Sequence, residues 1–184
     1  YTSMGVIYWY QGLYRQAIDY FQKNIVLSSE LNDQEGMAAS YGNLAIIFDE
    51  EGKLDSSLFY YNRALRVYLN SENELQLASC YDNMSLIYLQ KGDFTNAIAV
   101  HSKGFELRKK IRDTVGIMAS LENLGTIYLK QNKPDKAIEV SKEVIKIAER
   151  RGAKEDLKYA LINLKDAYAM KKDYDAAFEY QQKL

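Results

Sequence analysis

Asn43, Asn83, Asn123 and Asn163 recur at intervals of forty residues, and Ser3 holds the same slot once more. Each carboxamide offers N–H donors and a carbonyl acceptor, the complement of a peptide backbone. The pattern points to recognition of an extended chain. Helix propensity does not account for it, because a mid-helix asparagine costs roughly half a kcal/mol relative to alanine. A structural alternative stays open, in which each amide ties its helix to the adjacent repeat.

Other chemistry is scarce. One cysteine and one histidine exclude an internal disulfide framework, a CxxC site and most metal or acid–base constellations. Cys80 shares its slot with Ser40, Ser120 and Ala160 and reads as a small packing residue; His101 shares its slot with Phe21 and Tyr61 and reads as partly buried, not as a ligand. With no phosphate loop or nucleophile constellation, neither catalysis nor a metal or cofactor is expected. Arg108 to Arg112 is a basic run at a helix end, where cations complement the dipole, and is expected to be solvated. Asn83-Met84-Ser85 matches a glycosylation sequon but falls mid-helix and is discounted.

The asparagines need a scaffold that repeats as they do. Asn83-Met84-Ser85-Leu86-Ile87-Tyr88, followed by Gly92 and Ala97-Ile98, aligns with Asn43 to Phe48, Gly52 and Ser57-Leu58, and with Asn123 to Tyr128 and Ala137-Ile138. Ser3 to Tyr8 with Gly12, and Asn163 to Tyr168 with Ala177, extend the register both ways. An uninterrupted period implies one supersecondary unit stacked on copies of itself. Met37, Tyr41, Leu44 and Phe48 form one helical stripe that must pack. Glycine at 12, 52 and 92 marks the turn to a second helix; Asn132 is tolerated in that slot and Lys172 is the misfit. Small residues (Gly5, Ala45, Ser85 and Gly125; Ala17, Ser57, Ala97, Ala137 and Ala177) let the paired helices approach closely. Ser71-Glu72-Asn73-Glu74 fits a capping box, and Pro134 suits the first turn of its helix.

The set Leu121, Leu124, Gly125, Tyr128, Asn132, Pro134, Ala137 and Ile138 resembles the tetratricopeptide repeat. The likeness covers the whole chain in five units, 1–34, 35–74, 75–114, 115–154 and 155–184, the first and last partial. The period of forty, against the commoner 34, is similar to that of kinesin light chains, spindle-orientation adaptors, bacterial peptide-pheromone receptors and the repeat segments of bacterial sensor kinases. The resemblance implies an all-α, right-handed superhelical solenoid of antiparallel helix pairs whose first helices line a concave groove, and in such families asparagines hold peptide backbones. The form that clamps chaperone C-termini is not expected, because Gly42, Asp82 and Glu122 stand where it needs basic residues.

Opposite the packing stripe, a second stripe should face that groove. It comprises Asn43, Ile46 and Glu50; Asp82, Asn83, Leu86 and Gln90; Glu122, Asn123, Thr126 and Lys130; and Asn163. Ala39, Gly42, Ser79 and Ala119 continue it, Leu129 and Ile162 add apolar surface, and Asp49 adds charge.

At 184 residues, 47% hydrophobic and 27% charged, the chain can bury a sizeable core. No apolar run approaches the roughly 18 residues of a bilayer span, so a soluble chain is expected, cytoplasmic or, as part of a membrane-linked sensor, periplasmic. Net charge is −1, with 5 basic and 11 acidic side chains in residues 1–90 and 19 and 14 in residues 91–184. Nucleic acid is therefore not an expected partner, and a ligand with basic residues suits the first half. Both termini fall inside a repeat, as expected for a piece of a longer polypeptide. The expected role is a non-enzymatic module binding a protein or peptide segment, or other domains of its own parent chain. The alternatives are a regulatory segment of a larger bacterial signalling protein and a structural spacer or homo-oligomer.

Overall fold

The computed structural model describes residues 1–184 in full. Ten α-helices follow one another with no strand between: α1 Thr2–Tyr10, α2 Tyr14–Glu30, α3 Gln34–Glu50, α4 Leu54–Tyr68, α5 Glu74–Gln90, α6 Phe94–Lys110, α7 Thr114–Lys130, α8 Pro134–Arg151, α9 Lys154–Met170 and α10 Tyr174–Gln182. They form two compact units, Tyr1–Lys91 with α1 to α5 and Gly92–Leu184 with α6 to α10. No helix is long and apolar enough to cross a membrane.

Turn chemistry sets the boundaries. Gly12, Gly52 and Gly92 take φ of +71°, +71° and +73°, and Asn132 and Lys172 follow them into the left-handed region at 57° and 62°. Lys172 thus adopts the turn its repeat demands despite its Cβ. Pro134 opens α8, where a missing N–H costs nothing. Aspartates cap α3, α6, α7 and α10: Asp33, Asp93, Asp113 and Asp173 accept the backbone N–H of Gly36, Asn96, Gly116 and Ala176. The capping box expected from Ser71 does not form. Asn73 is the N-cap, accepting from Gln76 N at 3.2 Å, and Ser71 turns back to donate to the Tyr68 carbonyl. Asn73 holds the register slot from which Asp33 and Asp113 cap α3 and α7.

In the first unit α2 packs on α1 and α3, and α4 packs on α3 and α5. A helix covered from both sides needs two apolar faces, so the expected single stripe is too narrow. Ala38 and Ile47, outside it, are fully buried beside Leu44, whereas Met37, Tyr41 and Phe48 are half-buried. Ala17, Phe21, Leu44 and Ile47 form the centre, with Trp9, Phe48 and Tyr60 against them. The small-residue slots are occupied as the close approach requires: a Cβ on Gly5 would lie 2.6 Å from the Phe21 ring. Asn24 links repeats by donating to Ser40 Oγ at 2.9 Å and to the Gly36 carbonyl.

The second unit repeats the plan around two centres. Ala137, Ile138, Leu164 and Ala167 gather Tyr128, Leu129 and Tyr168; Leu121, Val144 and Ala160 gather Phe105, Ile117 and Ile147. His101 is buried beyond the partial burial expected, at 2% exposure, with Nε2 at 2.7 Å from the Ser120 carbonyl and Phe105 stacked beside it. The expectation of a solvated basic run fails at Arg108. It fills the slot of Tyr68 and Ala148, is 9% exposed, and its guanidinium pairs with the α7 cap Asp113. The inward-facing slot of a packed helix decides its burial, and a carboxylate already held at the next helix start supplies the countercharge.

Candidate functional site

Between α3 and α5 of the first unit lies a cavity of about 440 Å³. One wall comes from α3, where Gly36, Ala39, Gly42, Asn43 and Ile46 succeed each other at helical spacing; Gln76, Ser79 and Asn83 of α5 oppose them. The floor is Tyr61 and Tyr68 of α4 with Cys80 of α5. The cavity exists because α3 offers small residues there: a Cβ on Gly42 would meet no atom within 4 Å. Glu35 stands at the mouth, accepting from Asn73 Nδ2 at 3.2 Å.

The sequence-predicted residues divide. Asn43, Ile46 and Asn83 are half-buried and line the cavity together. Neither amide is hydrogen-bonded to a neighbouring repeat, so the donors and acceptor of both are uncommitted. Glu50 is engaged by Trp9, whose Nε1 donates to Oε2 at 2.7 Å. Gln90 crosses from α5 to α3, its Nε2 donating to Asp49 Oδ1 at 2.9 Å. Leu86 is half-buried, and Asp82 is buried at 8% exposure; neither lines the cavity.

In the second unit Glu122, Asn123 and Thr126 are half-buried on α7 and Lys130 is exposed. Thr126 Oγ1 donates to the Glu122 carbonyl at 3.2 Å. Asn163 Nδ2 reaches the same carbonyl at 3.5 Å, so at this rung the amide joins adjacent repeats. Glu122 Oε1 is buried with no hydrogen-bond partner. Burial, and then the charge of Asp156, pushes its carboxyl up to about 7.

The cavity floor was not foreseen. Tyr61 and Tyr68 sit seven residues apart on α4, in slots that read as core, and the only signal was Gly42 in the slot of Asp82 and Glu122. Burial holds the Tyr68 phenol up at about 12 and the Tyr61 phenol higher still, with Cys80 contributing to both. Cys80 itself is 5% exposed and pushed up to about 12 by burial, which leaves a protonated, unreactive thiol. No group of three or more His, Cys, Asp or Glu is arranged to hold a metal ion.

The tetratricopeptide repeat family model matches residues 1–70, 74–150 and 117–184. No curated protein is significantly similar in sequence. Among solved structures, BtubC from P. vanneervenii superposes with a TM-score of 0.88 at 21% identity, over 97% of this chain and 74% of its own. A Podosopora anserina protein described as a kinesin light chain with nearly identical TPR-like repeats gives 0.83 at 15%, over 99% and 90%. A signal transduction ATPase with a tetratricopeptide repeat sensor, from Pyrococcus horikoshii, gives 0.87 at 22%, over 99% of this chain but 28% of its own. At these identities the likeness is one of fold.

Proposed function

Because the chain belongs to the tetratricopeptide repeat family, we propose that it is a protein-interaction module, without catalytic chemistry, that holds a peptide or protein segment against its first helices. The observation that carries this reading is the pair Asn43 and Asn83, both facing one cavity with uncommitted amides. Each amide can accept one N–H of a bound backbone and donate to one C=O, from opposite walls of the cavity. Side chains between the two amides are free to enter the cavity.

The test is affinity capture from native lysate by the wild-type chain and by an Asn43/Asn83/Asn123→Ala variant of matched melting temperature. Loss of a defined partner from the variant is expected. Identical capture by both proteins would overturn the assignment of these amides to ligand binding.

A second reading has its own support. The chain spans 28% of the Pyrococcus horikoshii ATPase, whose repeats are a sensor, and 47% of aspartyl phosphate phosphatase F from Bacillus subtilis. A regulatory segment of a larger signalling protein would use the same face, and its bound segment would then come from its own parent chain.

A further inference from the structure

We propose that the cavity between α3 and α5 is a socket for one arginine side chain of the bound segment. The inference rests on the peptide-binding reading and specifies what the cavity takes. Tyr61 and Tyr68 are 4% and 5% exposed, and what remains accessible of them lines the cavity. Neither phenol oxygen is sealed inside the protein, so a side chain entering the cavity can reach both. That side chain enters a negative field. No lysine, arginine or histidine lines the cavity, Glu35 stands at its mouth, and the unit Tyr1–Lys91 carries six basic against eleven acidic side chains. Burial first, and then the charges of Cys80 and Glu35, disfavour ionisation of Tyr68, and Glu35 is the carboxylate that lines the cavity.

An anionic side chain is excluded by that field, and a purely aliphatic one leaves both phenols unpaired. A guanidinium meets every requirement. Its aliphatic stem lies along Gly42 and Ile46, its planar group stacks on tyrosine, and its five N–H donors find the phenol oxygens and the Glu35 carboxylate. Arginine is preferred to lysine because its charge is more weakly hydrated and its donors are spread over a plane.

The experiment is selection of random dodecamer peptides displayed on their own mRNA against the 184-residue chain, alongside Gly42→Leu, which fills the cavity from open space, and Glu35→Gln. Peptides retained by the wild type should be enriched in arginine. Their binding should be lost with Gly42→Leu, and replacing that arginine by glutamine should weaken it by about tenfold or more, as for loss of a charge-assisted hydrogen bond. Glu35→Gln should erode the preference for arginine over glutamine, with the fold checked by circular dichroism. Peptides that bind without arginine, or equally well to Gly42→Leu, would overturn the socket and leave the groove reading standing. Failure to select any peptide would overturn both.

Discussion

Gly42 and Gly5 provide a paired test of which surfaces are packed and which are open. Both are helical glycines, so replacing either by alanine removes backbone freedom from the unfolded chain and gains about 0.8–1 kcal/mol of helix propensity. At Gly42 nothing lies within 4 Å of the new methyl, and the whole gain should appear, raising the melting temperature by about 2–4 °C for a chain of this size. At Gly5 the methyl would sit 2.6, 2.8 and 2.9 Å from three atoms of the Phe21 ring, against a carbon–carbon optimum of about 3.5–4.0 Å. Phe21 is fully buried, so the ring has to move by about 1 Å in a filled core, and overpacking of this kind costs about 1–3 kcal/mol. Gly5→Ala should therefore be neutral to destabilising by about 2 kcal/mol after the propensity gain is subtracted. Urea titrations followed by circular dichroism at matched protein concentration measure both. A loss of stability in Gly42→Ala would refute the reasoning, because it would mean that the α3 face is covered.

Two further outcomes are expected. Glu122 is raised in the folded chain to about 7 from an ordinary value near 4.5, so the native state keeps a proton that the unfolded state has released. Its contribution is most favourable below about pH 4.5 and is lost as pH rises through about 7, so wild-type stability relative to Glu122→Gln should fall across that window by an amount on the order of 1 kcal/mol; parallel pH profiles of the two would contradict this. Lys172→Gly should stabilise by about 1 kcal/mol, the relief of a left-handed residue bearing a Cβ, readable as a shift in the urea midpoint; an unchanged midpoint would show that the turn carries no strain.

Much of this molecule is written locally. The forty-residue register follows from residues that repeat in kind: glycine or asparagine where the chain must turn left-handed, small residues where helices touch, Pro134 where no N–H is needed. Each requirement is met within a few residues of the position concerned, which is why helix pairs, their boundaries and the fold class could be read without coordinates. The asparagine slots were equally legible, since a period is a property of order along the chain.

What each slot faces depends on residues far away. Asn43 and Asn83 open into a cavity while Asn163 reaches across to the Glu122 carbonyl, although all occupy one register position. Arg108 is buried because its slot points inward and Asp113 waits there, not because of anything in the run Arg108 to Arg112 itself. Ala38 and Ile47 belong to the core because α3 is packed from two sides, which a single-helix pattern does not display. The socket itself joins Gly42, Tyr61, Tyr68 and Cys80 from three helices. Periodicity along the chain determines the helix pairs, whereas side-chain volume and unpaired polar atoms, summed across helices, decide where a ligand can enter.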